Sequence, residues 1–247
     1  LDQEQPVLGV DIGGSSIKFC LFEKGRILAD ATKKYESGMS PSDVERMILE
    51  IVKEWAFEGD IGIGFPGIVD GTTIIDAPNL GPEWEGFDLV SLVLSWSRGR
   101  VRIINDADAS ALAMAKQTPN WEHEDILCLT LGTGIGSAWL RKGELNAGTE
   151  YGRILHPELN CSLEEWASVR TLNKENLSLE IWAERLTSIL DYLHKTFNPN
   201  RFILSGGITA SSEQWIDIVQ TEVAVPVSIS KYGDLTGAVG AARLHSV

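Results

Sequence analysis

The sequence predicts an α/β protein in which one structural plan is used twice. Short apolar runs alternate with helical repeats along the 247 residues, the pattern of layered α/β folds. A strand, a glycine turn and a second strand begin at Val10-Asp11-Ile12-Gly13-Gly14. The same series returns at Thr130-Leu131-Gly132-Thr133-Gly134, where the second half of the chain opens. Two copies of one hairpin, each leading half of the chain, imply a duplicated two-lobed fold. The division expected is an N-terminal α/β lobe over 1–104 and a C-terminal α/β lobe over 105–247.

The elements can be read from local pattern. Residues 7–12, 17–22 and 26–32 read as strands, broken by Gly13-Gly14-Ser15-Ser16 and Glu23-Lys24-Gly25. A helix starts at Ser40, a cap, with Pro41 at its first position and Asp43 three residues after the cap. Its apolar stripe is Val44, Met47, Ile48, Ile51, Val52 and Trp55. Residues 61–65 form a strand entering the Pro66-Gly67 turn, 76–85 a loop, 90–96 a short helix and 101–104 a strand. Residues 106–116 are a helix of small side chains that must lie close against a neighbour. Strands are expected at 126–131 and 135–140, and a long helix runs through Trp182, Leu186, Ile189, Leu190, Leu193 and Phe197 to Asn198-Pro199. A strand at 202–204 enters Ser205-Gly206-Gly207, another lies at 225–229, and a Gly/Ala-rich helix closes the chain from 236.

Composition narrows the function classes. A net charge of −14 argues against nucleic acid, which needs a basic face for its phosphates. Cys20, Cys128 and Cys161 are odd in number and unpaired in spacing, which suits a reducing cytoplasm better than a disulfide framework. No apolar run is long enough to span a membrane, and the first residues lack the pattern of a signal peptide. The expected location is therefore cytoplasmic, with no membrane partner.

Three segments carry candidate chemistry. The loop from Asp11 to Lys18 joins strand to strand, and Gly13, Gly14 and Ser15 let backbone amides and a hydroxyl approach phosphate oxygens. Asp11, at a strand end, suits Mg2+ held through water, because that ion keeps part of its hydration shell. An ordinary hairpin is the alternative. The second loop, Leu131-Gly132-Thr133-Gly134-Ile135-Gly136, has dinucleotide-like glycine spacing. Ser137-Ala138-Trp139-Leu140, immediately after it, continue a strand rather than open a helix, so it is not a Rossmann turn. Nor is there a P-loop. Asn105-Asp106 stands between a strand and a helix, where a carboxylate is either a ligand group or a helix cap.

Taken together and in order, VDIGG at Val10, GFPGIVDG at Gly64, NDADASALA at Asn105, LGTGIGSA at Leu131, TEYG at Thr149 and SGG at Ser205 resemble the ROK sugar kinases. These belong to the actin/hexokinase superfamily, and the likeness is strongest to the polyphosphate glucokinase branch, through NDADASALAMA, LGTGIGSAWL, LSLEIWAERL and GAVGAARL. The resemblance implies a duplicated ribonuclease-H-like fold with an interlobe cleft, and a closing helix, 236–246, packed back on the N-terminal lobe. It implies phosphate binding by Asp11, Gly13, Gly14, Ser15, Lys18, Gly132, Thr133 and Gly134, with Gly206 and Gly207 on the nucleotide side. Asp106 would be the base that takes the proton of a sugar 6-hydroxyl. Gly67, Asn79, Asn105, Glu150, Arg153 and Glu164 would contact the sugar. The implied function is a Mg2+-dependent hexose kinase using polyphosphate or ATP, and a homodimer is compatible with it.

The chain departs from the family pattern in two places. The usual E-x-G-H reads Glu150-Tyr151-Gly152-Arg153, replacing a residue that donates or accepts with one that only donates and is always charged. Arg153 either substitutes as a donor, holds Glu150 away from the sugar, or selects an anionic ligand. In the second case removing the charge would strengthen sugar binding by about 1–3 kcal/mol, and Arg153 motivates the alternative function, a non-catalytic or weakly active sugar-binding sensor with the same fold. The family's zinc cluster is reduced to His156 and Cys161, so no zinc is expected. A polyphosphate track would need local basic groups such as Arg98, Arg100 and Arg102, whose plainer reading is a solvated face.

Overall fold

The computed structural model describes residues 5–35, 38–77, 80–115 and 117–245, and Asn79 lies outside them. In chain order the elements are β1 (Val7–Ile12), β2 (Ser16–Glu23), β3 (Arg26–Lys34), α1 (Pro41–Glu54), β4 (Ile61–Phe65), β5 (Ile68–Asp70), β6 (Thr73–Asp76), α2 (Leu89–Leu94), β7 (Val101–Asn105) and α3 (Asp106–Ala115). Next come β8 (Asp125–Leu131), β9 (Ile135–Arg141), β10 (Glu144–Asn146), α4 (Leu163–Ala167), α5 (Val169–Lys174), α6 (Leu179–Phe197), β11 (Arg201–Ser205), α7 (Ile216–Glu222), β12 (Val227–Ile229) and α8 (Thr236–Ala242). The chain divides into two compact units, Leu1–Ala113 with Gly237–Val247, and Met114–Thr236. The sequence pattern places the division at 104/105; in the structure α3 stays with the first unit as far as Ala113.

Each unit holds one five-stranded sheet. The first runs β3-β2-β1-β4-β7 and the second β10-β9-β8-β11-β12. In both, the first three strands in sequence are antiparallel neighbours and the last two extend the sheet in parallel. Counted from its own first strand, each sheet has the order third, second, first, fourth, fifth. The glycine hairpins therefore occupy equivalent corners of a repeated plan, as their echo in sequence implies.

Each sheet has its own core. In the first unit Val10, Ile17, Phe19, Ile48, Ile63 and Trp84 are buried together; in the second Leu129, Trp139, Trp182, Leu186, Phe202 and Trp215 are. Buried indoles need an acceptor. Trp84 Nε1 donates to Met39 O at 2.7 Å and Trp182 Nε1 to Ala167 O at 2.8 Å. Ser40 and Asp43 form the expected capping box on α1, which buries Val44, Ile48 and Ile51.

The close approach foreseen for the small-residue helix is made by α8. Ala107, Ala109, Ala111 and Ala113 of α3 are buried, and a Cβ added to Gly240 would stand 1.6 Å from Ala109 O. On the sheet side, a Cβ on Gly62 of β4 would stand 1.9 Å from Ala241 O. The backbone of α8 thus rests directly on backbone of β4 and α3. Past α8, a 3-10 turn ends the described chain, and the His245 ring, buried, meets Ile61 O at 3.0 Å. Burial holds that imidazole below its usual range.

The strands β5, β6 and β10 and the helices α4, α5 and α7 carry no readable periodicity. Ile68 and Ile75 of the β5–β6 ribbon are exposed while Ile74 is buried in the first core, so apolar residues fall on both faces and give no clean alternation. Helices α4 and α5 are too short for a repeat, and Ser162 and Ser168 cap them. No helix among the described residues is long and apolar enough to cross a membrane. The cysteines are free, and burial raises the Cys20 thiol to about 12 and pushes Cys128 up further. Neither is a nucleophile at neutral pH.

Candidate active site

In the first unit the candidate residues gather at the C-terminal ends of the parallel strands β1, β4 and β7, where α/β sheets bind ligands. Asp11 pairs in register with Gly64 of β4 and with Lys18 of β2, and Gly64 pairs with Ile104 of β7. A Cβ on Gly64 would lie 3.6 Å from both Asp11 Oδ1 and Asp106 Cα. The two aspartates therefore flank one glycine. The far side of Asp11 meets Gly237, where a Cβ would come within 2.5 Å of the carboxylate.

Asn105 and Asp106 divide the work at the head of α3. Asn105 Oδ1 accepts the N–H groups of Ala107 and Asp108 at 2.9 and 3.1 Å, which is the capping role that the sequence left open for Asp106. Asn105 Nδ2 donates to Gly67 O at 3.0 Å. That bond ties the Gly67 turn to the helix, so the side chain expected on the sugar is spent largely on backbone. Asp106 is half-buried in the first helical position. Its Oδ1 accepts the Ala107 N–H at 2.8 Å.

The first hairpin keeps its turn through Gly13 N–H to Ser16 O at 2.9 Å, with Ser15 exposed at the tip. The Tyr35 hydroxyl donates to Gly13 O. No local pattern marks Tyr35; its role depends on the register that brings the end of β3 beside the β1–β2 turn.

In the second unit, Gly132 N–H donates to Gly134 O at 3.0 Å, Gly132 O accepts from Val169 N–H at 2.9 Å, and Thr133 is exposed at the tip. Glu164 lies on this hairpin. Its Oε2 accepts the Ile135 N–H at 3.3 Å and sits over Gly134, where an added Cβ would be 2.5 Å away and would displace the carboxylate. The neighbouring Glu165 is committed to the Ser162 capping box, which is why Glu164 is the one turned to the loop. Gly206, at φ 108°, ends β11 so close to β8 that a Cβ would stand 2.1 Å from Leu131 O; on Gly207 it would meet Asp234 Oδ1 at 3.4 Å.

Glu150 is held from both sides. Ser137 Oγ accepts the Tyr151 N–H at 2.9 Å and donates to Thr149 O at 3.0 Å, while Thr149 Oγ1 donates to Ser137 O at 2.7 Å. Gly152 lets the segment press on β9, since a Cβ there would be 2.1 Å from Ile135 O. The Ser137 clamp was not legible in sequence.

A model described as the ROK family matches residues 7–162. The chain belongs to the ROK family. The polyphosphate glucokinase of Mycobacterium leprae is 31% identical over 242 residues, covering 95% of this chain and 72% of that one. An inorganic polyphosphate/ATP-glucomannokinase from Arthrobacter sp. strain KM superposes with a TM-score of 0.90 at 27% identity, over 98% of this chain and 99% of that one. A ROK glucokinase from Streptomyces griseus, solved with glucose and AMPPNP, shares the fold with a TM-score of 0.82 at 23% identity, over 97% and 98%.

In this ROK chain Arg153 Nε lies 3.3 Å from Glu150 Oε2, with both side chains about half exposed. Pairing with Glu150, one of the alternatives for Arg153, is thus the arrangement found. The basic cluster is engaged as well. Arg98 pairs with Glu58 and Arg100 with Asp60, both at 2.6 Å, and Arg102 donates to Leu244 O at 2.5 Å. His156 accepts the Glu158 N–H on Nδ1 at 3.2 Å, and its backbone N–H donates to Cys161 O at 2.9 Å. Among the described residues no three His, Cys, Asp or Glu side chains gather as a metal-binding set.

Proposed function

We propose that this ROK sugar kinase transfers a phosphoryl group from polyphosphate or ATP to the 6-hydroxyl of glucose or a close relative. The observation that carries the reading is the pair Asp11 and Asp106, set on either side of Gly64 at the strand ends. Asp106 orients the 6-hydroxyl and takes its proton. With a loose transition state, positioning and charge do most of the work, so a carboxylate of ordinary basicity suffices. Gly13, Gly14 and Lys18, and Gly132 to Gly134, bind the phosphate oxygens, with Gly206 and Gly207 on the nucleotide side. Glu150 and Glu164 receive sugar hydroxyls, whose paired donor and acceptor capacity carboxylates discriminate well. Asp11 fits Mg2+ held through water: one half-buried carboxylate bounded by Gly64 and Gly237 suits an ion that keeps its hydration shell. When bound, the ion neutralises phosphoryl oxygens. The names of the relatives support both donors. Arg98 and Arg100 are paired with Glu58 and Asp60 and Arg102 with the Leu244 carbonyl, which agrees with the plainer reading of that cluster as a solvated face.

A coupled assay over a panel of hexoses, each with ATP and with polyphosphate, tests the reading. The expected result is a hexose 6-phosphate from glucose with at least one donor. Sugar binding without turnover on any pair would favour the sensor.

The Glu150–Arg153 pair is the observation on the sensor's side. An exposed pair contributes little, about 0–1 kcal/mol, so Arg153→His should change glucose affinity by less than about five-fold and leave turnover measurable. Titrating both proteins with glucose, glucuronate and glucose 6-phosphate checks this. A much larger gain for glucose would mean that Arg153 holds Glu150 off the sugar, and loss of a tight anion would mean that it selects one.

A further inference from the structure

Tyr35 comes directly after β3 and touches the first hairpin twice. Its O–H donates to Gly13 O, and its N–H donates to Ser15 O at 3.0 Å. A trans peptide is planar, with its C=O and N–H pointing in opposite directions, and the described residues contain no cis bond. With the Gly13 carbonyl turned to the phenol, the Gly14 N–H in the same peptide points away from it. Glycine on both sides of that peptide opposes its rotation only weakly, so the loop itself does little to fix the direction.

We propose that Tyr35 is a positioning residue, which holds the Gly13–Gly14 peptide in the orientation that offers the Gly14 N–H to the phosphoryl donor. The inference rests on the kinase reading of the hairpin and deepens it. The phenol suits the task. Burial first, and the Asp11 carboxylate second, raise it to about 12, so it keeps its proton and donates throughout the neutral range. The same arrangement presents a hydroxyl dipole, not a second charge, beside Asp11.

Tyr35→Phe removes the donor while keeping the ring and the backbone bond to Ser15. The test measures initial rates with donor and sugar varied separately. It also measures calorimetric binding of inorganic tripolyphosphate and of an ATP analogue with a non-cleavable β–γ bridge. Donor KM and the dissociation constant of the bound probe should rise roughly 3- to 10-fold, the loss of one hydrogen bond. Sugar KM should stay at the wild-type value, and the melting temperature should fall by no more than the few degrees that one lost hydrogen bond costs. Unchanged donor KM and probe affinity overturn the proposal, as does an equal rise in both KM values with a larger fall in melting temperature, the signature of a structural role alone. A wild-type protein that binds a probe but phosphorylates no hexose sinks the kinase reading while the binding comparison still decides on Tyr35. A wild type that binds neither probe overturns both.

Discussion

Asp106→Asn is expected to lower kcat by about 10²–10⁴-fold, the usual contribution of a positioned base, while sugar affinity stays within a few-fold. The amide keeps the shape of the side chain, and its oxygen can still accept the Ala107 N–H that Asp106 Oδ1 takes at 2.8 Å. What it lacks is a site for the hydroxyl proton. The start of α3 should survive, because Asn105 holds the cap through Ala107 and Asp108. The loss of a negative charge in the first turn costs about 0.3–1 kcal/mol. Rates, sugar titration and a thermal melt separate the two roles. Near-normal turnover with a lower melting temperature would return Asp106 to a purely structural part in the helix terminus.

The division of labour between Asn105 and Asp106 marks the limit of what the sequence discloses. Dipeptides of this kind announce a helix start and a polar site together, and only the hydrogen bonds tell which residue serves which. The hairpins at Gly13 and Gly132 were legible because their consequence is local: strand continues after turn, which excludes a Rossmann helix. The small side chains of α3 announced a close neighbour without naming α8, since the contact joins residues more than a hundred positions apart. Glu164 was singled out by family likeness alone; the capping box that occupies Glu165 supplies the physical reason that Glu164 is the one turned to the loop. Tyr35 left no trace, because its partners are backbone atoms, which carry no residue identity for a motif to display; Ser137 left little, because its hydroxyl meets mainly the Thr149 and Tyr151 backbone, with the Thr149 hydroxyl beside it. Family likeness supplied the roles proposed for Glu150 and Asp106; the physical reading supplied the elements that hold them.

Gly240→Ala sets two effects of opposite sign against each other. By helix propensity alone the substitution should stabilise α8 by about 1 kcal/mol. The Cβ, however, would stand 1.6 Å from Ala109 O and 2.3 Å from its carbonyl carbon. Both are backbone atoms of α3, so no side chain can turn aside. Overpacking of this kind costs about 1–3 kcal/mol and sometimes more, and here the space must come from moving one helix off the other. Set against the propensity gain, this leaves a net cost of about 2 kcal/mol at the upper end of that range, so the melting temperature should fall, by up to roughly 8 °C for a chain of this size. Activity should fall further than stability explains, because α3 carries Asp106 at its head and a displacement of about 1 Å at a reacting group costs on the order of 10²-fold. The informative readout is kcat measured well below the melting transition, alongside sugar affinity. A raised melting temperature would show that propensity wins and that α8 rests on α3 less closely than Ala109 indicates. A lowered one with unaltered kcat would confine the strain to α8 and separate the position of Asp106 from the packing beneath it.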